Sequence, residues 1–366
     1  MSNAKPFECR WGILATGWIA NEFTKDLLID PSKRNVSDVK HIVQAAASST
    51  SVHRAQKFLE EVDAPSTASA YGSYEELVAD PNVDVIYVAT PHSHHFDNCL
   101  LVLRAGKHLV CEKPFTVNAA QLKILVDIAR EKGVFMMEAV WTRFFPLSVK
   151  IRELLKNGEI GDVKRVTAET NSPKDMEKSF PDRKHRLVNP DLAGGALLDL
   201  GIYSLTWVYQ CLYHILPASE KATSTPTVIG TISRYESTGV DAENVAVCTF
   251  PKTIGIALSS FTIGTEPAPA IRISGTKGEI QVAHPAYRPE SFTIVKDGKV
   301  VEKNEFPIPG KGFFYQADAT ARAIRDGKKE SEIIPLEESL LIMKSMDKVR
   351  YDNGFKYPEA IEKTDH

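Results

Sequence analysis

The chain is poor in cysteine. Cys9, Cys99, Cys111, Cys211 and Cys248 are an odd set of five among 366 residues, and no two have C-x-x-C spacing. Neither a zinc knuckle nor a disulfide framework fits, so reduced thiols in a reducing compartment, the cytoplasm, are expected. An excess of one charge is also missing: 44 basic residues stand against 47 acidic ones, a net charge of -3, with no block of either sign. Binding a nucleic-acid backbone needs a concentrated basic surface, so nucleic acid is not an expected partner. Residues Met1 to Phe7 contain no apolar signal core. The Asn35-Val36-Ser37 sequon therefore carries no weight. Only Gly194 to Leu216 is long and apolar enough to test as a membrane span. Asp199 sits inside it, and a carboxylate in lipid is costly. It reads instead as a helix buried between a sheet and a cofactor site, and no membrane partner is expected.

What is present is the composition of a globular protein, 43% hydrophobic and 25% charged, which excludes a disordered chain, a collagen or a coiled coil. The length predicts two domains. Strands at Glu8–Ala15, His41–Ser48, Val83–Thr90, His108–Cys111 and Phe135–Ala139 alternate with helices at Trp18–Leu28, Val52–Glu61, Tyr74–Val78, Phe96–Ala105 and Ala119–Lys132. That alternation predicts a doubly wound parallel sheet, an α/β Rossmann domain over residues 1–143. Residues 144–366 open with a helix at Pro146–Asn157 and then change pattern. Strands are predicted at Val163–Thr170, Val228–Tyr235, Glu243–Phe250, Ile254–Phe261, Ala270–Ser274, Glu279–Val282 and Phe292–Val295, broken by a long helix at Ala196–Leu216. This reads as an α+β domain with an open, mostly antiparallel sheet, for substrate binding and dimerisation. Helices follow at Phe314–Arg325 and Glu337–Tyr351, and a helix over about 335–354 is expected to pack back on the first domain. Asn171 to Gly195 is the longest irregular stretch.

The first strand-to-helix turn contains Gly12, Ala15, Thr16, Gly17, Trp18 and Ile19. Small residues there let backbone N–H groups approach a pyrophosphate at a helix N-terminus. In the G-x-G-x-x-G/A fingerprint, Ala15 stands at the first glycine, Gly17 at the second and Ala20 at the third. The second strand ends without the acidic residue that holds a ribose 2′-hydroxyl. Between Asp38 and Glu60 the chain has none, and it offers Ser48, Ser49, Thr50, His53 and Arg54. Hydroxyls and a guanidinium suit a 2′-phosphate, so NADP is favoured over NAD.

Thr90-Pro91-His92-Ser93-His94-His95 follows a buried strand at the carboxyl edge, where ligands bind in such sheets. No second cluster completes a metal shell, so no metal is expected, and Thr90, Pro91, His94 and His95 are assigned to the nicotinamide loop. Cys111-Glu112-Lys113-Pro114 ends the next strand. A lysine at a strand end in a nucleotide crevice can act on a substrate hydroxyl or shift a neighbour's pKa. Asp199 and Tyr203 are four apart on a predicted helix and project from one face.

Together, Gly12–Ala20, Thr90–His95, Glu112-Lys113-Pro114 and the run from Gly194 to Tyr203 resemble the glucose-fructose oxidoreductase/inositol dehydrogenase (Gfo/Idh/MocA) family. Glu138 to Pro146 is similar to its dimeric dihydrodiol dehydrogenase and NADP-dependent D-xylose 1-dehydrogenase branch. The resemblance implies that Lys113 is catalytic, with Asp199 and Tyr203 as its partners. Glu112, Trp141 and Arg143 are assigned to the cofactor site; Trp141, Arg143 and Phe144 lie just past a sheet strand and are expected to wall a sugar pocket, the alternative for Phe144 being an ordinary core aromatic. The resemblance further implies hydride transfer from a sugar carbinol carbon to the nicotinamide, and Tyr203 is the expected general base. Lys113 would lower the Tyr203 pKa by its charge, although the reverse assignment of roles stays open. Oxidation of D-xylose at C1 to its lactone is the first implied activity, and oxidation of trans-dihydrodiols of arenes the second. A non-catalytic NADP-binding regulator is a third reading, which loss of Lys113 or Tyr203 would favour. Finally, Val245–Phe250 and Ile254–Leu258 are apolar at nearly every position, so both sheet faces need cover. A homodimer through the C-terminal sheet is expected, the alternative being that the Asn171–Gly195 loop folds over the open face.

Overall fold

The computed structural model describes residues 5–365. The first half builds a six-stranded, all-parallel sheet from β1 (Phe7–Leu14), β2 (Val39–Ala47), β3 (Ser69–Tyr71), β4 (Val85–Val88), β5 (His108–Glu112) and β6 (Met136–Ala139). Its order, β3-β2-β1-β4-β5-β6, is that of a Rossmann fold, and the order reverses between β1 and β4. Every residue of β4 and β6 is buried, because helices cover both faces of a parallel sheet. These are α1 (Trp18–Leu27), α2 (Val52–Glu61), α3 (Tyr74–Ala79), α4 (His95–Arg104) and α5 (Ala119–Lys132). Their starts follow the local chemistry. Ser51, Ser73 and Asn118 each accept a backbone N–H at a helix N-terminus, and Ser73 with Glu76 completes a capping box.

After α6 (Pro146–Lys156) the chain forms an eight-stranded sheet from β7 (Val163–Asn171), β8 (Thr227–Arg234), β9 (Asp241–Thr249), β10 (Ile254–Ser260), β11 (Ile271–Gly275), β12 (Gly278–Val282), β13 (Ser291–Lys296) and β14 (Lys299–Glu305). The order is β14-β13-β12-β11-β7-β10-β9-β8. All neighbours are antiparallel except β7 and β10. A short helix α7 (Met176–Ser179) follows β7. The apolar segment then passes through one π-helical turn, Leu197–Gly201, into α8 (Ile202–Leu212), which lies on β7 and β10. Its apolar length is explained by burial within the protein, since 94% of its most apolar window is covered. After α9 (Ala218–Lys221) and the sheet come α10 (Phe313–Arg325), α11 (Leu336–Asp352) and α12 (Glu359–Glu362). Helix α11 packs on α5 and β6 of the first sheet's layer and on α8 and β8 of the second. Asp347 accepts from the backbone of Ala119, and Arg350 donates to the carbonyl of Val117.

Three expectations about elements need correction. The short strand β3 escapes the pattern because its three residues are all half-buried. Strand β14 does so because it is an edge strand whose residues are almost all exposed. The helix predicted to run from Ala196 to Leu216 starts as a π turn and ends at Leu212, ahead of Pro217, which caps the next helix.

Candidate active site

The strand order places the crevice. The carboxyl ends of β1, β4, β5 and β6 open on one side of the parallel sheet, and the π turn with α8 closes the other. Between them lies a cavity of about 870 Å³. From the Rossmann side Gly17, Trp18 and Ile19, then Thr90, Pro91, His92 and His95, then Glu112, Lys113 and Trp141 line it. From the second domain come Arg186, Asp199, Tyr203, Tyr287 and Phe313.

The turn after β1 is built for a close-approaching ligand. Ala15 has φ of +86°, the left-handed conformation that the first glycine of the fingerprint usually supplies. A Cβ added at Gly17 would meet no protein atom within 4 Å, yet Gly17 lines the cavity. The open room beside Gly17 fits a dinucleotide pyrophosphate at the start of α1. Gly12 has a different role. A Cβ there would come within 2.9 Å of Val83 and 3.2 Å of Leu77, so it is a packing glycine inside the sheet layer and not a cofactor contact. At the end of β2, Ser49, His53 and Arg54 are exposed. Arg54 Nε donates to Thr16 Oγ1 at 3.2 Å, which places the guanidinium beside the fingerprint turn. Ser48 is buried, and its hydroxyl accepts from Thr50 N–H.

The histidines of the loop after β4 diverge. His92 binds the carbonyl of Ala193 through Nδ1 at 3.1 Å and lines the cavity. His95 lies between the carbonyls of Pro114 and Thr90, at 2.8 and 2.9 Å. His94, assigned to the cofactor, is exposed, sits beside Ser93 and is not part of the cavity wall.

Where the end of β5 meets the π turn, three side chains converge. Lys113 Nζ donates to the Asp199 carbonyl at 2.6 Å and to Asp199 Oδ1 at 3.3 Å. The same Oδ1 accepts from Arg186 at 2.8 Å. The ammonium lies 4.8 Å from the centre of the Tyr203 ring. The Tyr203 hydroxyl accepts from Trp141 Nε1 at 3.0 Å. Trp141 stacks on Phe313, with ring centres 4.1 Å apart, and lies nearly parallel to Tyr287 at 6.4 Å. Behind Lys113, Glu112 holds the Tyr87 hydroxyl with one oxygen and the Lys113 backbone N–H with the other.

Comparison with known proteins agrees with this architecture. A family model described as GFO_IDH_MocA, an oxidoreductase family with an NAD-binding Rossmann fold, matches residues 9–140. The GFO/IDH/MocA C-terminal domain matches residues 148–281. The chain belongs to the GFO/IDH/MocA family. It is 49% identical to the NADP(+) D-xylose 1-dehydrogenase of Hypocrea jecorina, over 99% of this chain and 96% of that one. It is 37% identical to the trans-1,2-dihydrobenzene-1,2-diol dehydrogenase of Mus musculus, over 96% and 98%. Among solved structures it shares its fold with levoglucosan dehydrogenase, at 16% identity and a TM-score of 0.81 over 95% of this chain and 97% of that one. A 3-ketoreductase from Actinomadura kijaniata has a TM-score of 0.76 at 22% identity, over 94% and 97%.

The electrostatics of this family member differ from the sequence expectation at one point. Burial, reinforced by the Glu112 carboxylate, pushes the Tyr203 phenol well above its ordinary pKa. The Lys113 ammonium over the ring face, which donates two hydrogen bonds to Asp199, does not outweigh that burial. Burial also works against an ionised Asp199. The neighbouring Lys113 and Arg186 cations outweigh it and hold the carboxyl well below the usual range. His92 falls to about 3 and His95 to about 4, burial being the main cause in each, so both rings are neutral at pH 7.

Two more assignments move. Arg143 is fully buried and faces away from the cavity, donating to the Glu338 carboxylate and the Ile333 carbonyl. Phe144 is buried in the core outside the cavity lining. Sequence reasoning missed His92, Arg186, Tyr287 and Phe313 as cavity residues. His92 lay within the quoted motif, and the Gly194-Gly195 pair was the signal for Arg186. Tyr287 and Phe313 carried no local signal.

Proposed function

We propose that this protein oxidises an aldose at C1, D-xylose foremost, to the 1,5-lactone, with NADP as hydride acceptor. The convergence of Lys113, Asp199 and Tyr203 in the cavity at the carboxyl edge of the Rossmann sheet carries the reading. The activity in the name of the Hypocrea jecorina relative supports it. When bound, NADP supplies the electron-pair acceptor at its nicotinamide. Gly17 and the start of α1 would hold the pyrophosphate, and Arg54 with Ser49 and His53 the 2′-phosphate.

The chain's own residues then handle the proton. An ammonium has three N–H donors. Lys113 gives two to Asp199, and the third is left for the substrate oxygen, where negative charge develops as the hydroxyl proton leaves. That proton goes to the Tyr203 phenolate, while the C–H bond breaks and its electron pair leaves as hydride. The C1–O bond becomes a carbonyl, and Tyr203 ends as a neutral phenol. Because burial favours the phenol, the reactive phenolate is a minor form at neutral pH. The Trp141 indole N–H stabilises it.

A second reading, oxidation of a trans-dihydrodiol, is favoured by the aromatic layer of Phe313, Trp141 and Tyr287, which would cover an apolar ring. An assay of NADP reduction across pentoses, hexoses and a trans-dihydrodiol tests both. The largest kcat/KM with D-xylose supports the proposal. Turnover of the dihydrodiol alone favours the second reading. Tight NADP binding with no turnover of any substrate would leave a cofactor-binding regulator.

The proposal includes two broader features. All five cysteines are free and buried, in keeping with a cytoplasmic protein. The active form is a homodimer. On the sheet face away from α8, Ile229 is 62% exposed and Ile254 43%. Val245, Val247, Ile256 and Leu258 are half-buried beside them. The Asn171–Gly195 loop supplies His185, Arg186 and Leu192 to the cavity, which supports a second copy, rather than this loop, as the cover for the patch.

A further inference from the structure

We propose that Arg186 is a specificity-determining residue that, with the free oxygen of Asp199, reads the hydroxyl on the carbon next to the one oxidised. The inference deepens the proposed function and rests on its placement of Lys113 at the reacting oxygen.

Arg186 reaches the site from an irregular segment, and the backbone shows why it is held there. Gly195 N–H donates to the Leu187 carbonyl at 2.9 Å. A Cβ at Gly194 would stand 2.8 Å from the carbonyl oxygens of both Arg186 and Leu187. Gly195 takes φ of +126°, and a Cβ there would run into Asp241. The glycine pair thus lets the Arg186–Leu187 backbone lie directly against the start of the segment that carries Asp199. Leu187 and Val188 are buried, so the segment is anchored on the side away from the cavity.

The arginine fork is only partly used. NH1 donates to Asp199 Oδ1 at 2.8 Å. Among the described residues, Nε and NH2 have no protein hydrogen-bond partner, and the side chain is 45% exposed at the cavity wall. Asp199 is used in the same one-sided way. Oδ1 takes both Lys113 and Arg186, while Oδ2 accepts from no protein group among the described residues. An unused cationic donor and an unused anionic acceptor therefore stand side by side. A hydroxyl, with one donor and two acceptor lone pairs, satisfies both at once.

Lys113 adjoins the same carboxylate, and its third N–H addresses the reacting oxygen. The next oxygen along the substrate then falls to Asp199 Oδ2 and Arg186. The site is matched to a vicinal diol, whether sugar or dihydrodiol, and not to an isolated alcohol. A hydrogen bond to a charged group is worth roughly 1.5–3 kcal/mol, about ten- to a hundredfold in affinity.

The test is calorimetric binding to the NADPH-loaded protein, which requires no turnover. D-Xylose is compared with 2-deoxy-D-xylose, and a trans-dihydrodiol with the matching mono-alcohol. The parent protein should bind at least one diol about tenfold or more tighter than its deoxy partner. In Arg186→Met that preference should collapse to within about twofold, with Arg186→Lys between the two. If Arg186 only holds Asp199 in place, Arg186→Met weakens diol and deoxy compound alike and the ratio survives, which overturns the proposal. Absence of any preference in the parent, or binding of none of the four compounds, overturns it as well. The proposed function is judged separately, by NADP reduction: turnover of the dihydrodiol alone would refute D-xylose as substrate, while a diol preference lost in Arg186→Met would still uphold Arg186.

Discussion

The Trp141 indole N–H donates to the Tyr203 hydroxyl oxygen at 3.0 Å, across the boundary between the two sheets. This bond leaves the phenol's own proton free to point elsewhere, and it favours the phenolate against the burial that raises the pKa. Removing the donor by Trp141→Phe should raise the Tyr203 pKa further. Fewer molecules then carry the base at a given pH, so oxidation at pH 7 should fall by about tenfold, the usual worth of one such bond. The rise of kcat/KM with pH should move to more alkaline values. A profile that keeps its position in Trp141→Phe would mean that the indole does not tune the base.

The parent enzyme's own pH profile follows from the same sign. A base whose pKa lies well above 10 gains phenolate about tenfold per pH unit below that pKa. Oxidation should therefore climb through the neutral range and on past pH 9 without levelling. Tyr203→Phe should flatten the climb and lower turnover by about a hundredfold or more. Lys113→Met should lower it comparably through loss of the charge at the substrate oxygen, while NADP affinity changes little. Turnover within a few fold of the parent in both variants would remove these residues from the chemistry.

How far the sequence reveals this site depends on how each residue is held. Lys113 and Glu112 sit at a strand end, and the apolar run of β5 locates them directly. Asp199 and Tyr203 lie where the chain is apolar nearly all round, so their polarity alone marks them. Arg143 was misplaced because Trp141–Phe144 is a 3₁₀ turn. At three residues per turn, side chains two positions apart diverge widely, and Arg143 points into the core while Trp141 faces the cavity. Arg186 was hard to find for a related reason, the Gly194-Gly195 pair being its one signal. Its segment has no periodicity, and its contact with Asp199 spans thirteen positions, with only a short 3₁₀ turn between Arg186 and the π turn. Residues His92 and His94 show the same limit inside one short motif, since only a loop's actual turn decides which of them faces inward.

The corrected place of Arg143 makes a distinct prediction. Its guanidinium is paired with Glu338, which also accepts from His214 Nδ1 at 2.9 Å. Removing one partner of a buried ion pair costs about 3–5 kcal/mol because the other charge is stranded. Arg143→Met should lower stability to urea by that order, with little loss of NADP affinity in the protein that stays folded. Burial opposes ionisation of Glu338, yet Arg143 and His214 carry its pKa down to about 2. A depressed carboxyl contributes stability that is present above its unfolded pKa of about 4.3. It is lost as pH falls from there toward 2. The parent should lose stability across that window and Arg143→Met should lose less. Weakened NADP binding with unchanged stability would return Arg143 to the cofactor site.

Discrimination between cofactors should depend on Arg54. Its contact with Thr16 places a cation at the end of β2, in a stretch with no acidic residue between Asp38 and Glu60 to hold a ribose hydroxyl or repel a phosphate. NADP should bind far better than NAD. Arg54→Ala should weaken NADP by about tenfold or more through loss of a charge-assisted bond, and NAD much less. Titration of both cofactors against both proteins checks this, and equal affinity of the parent for the two would end the argument.

The register of the second sheet predicts its oligomeric state. Ile229 of β8 faces Val247 of β9, and Val247 faces Ile256 of β10. Val245 and Leu258 form the next pair, and Ile254 lies at the end of the row. Alternation puts all six on the face away from α8. Beyond β10 the same face turns polar, with Ile256 beside Thr167 and Thr167 beside Arg272. An apolar half flanked by a polar half is a surface that a second copy can cover by a two-fold rotation, each patch meeting its twin. A monomer would leave this contiguous apolar area in water. Light scattering at micromolar protein should give twice the mass of the 40.5 kDa chain. Val247→Lys puts a charge in the middle of the patch on each copy, and should give a single-chain mass while circular dichroism and NADP binding stay those of the parent. A parent protein that scatters as one chain would show that the open face needs no partner.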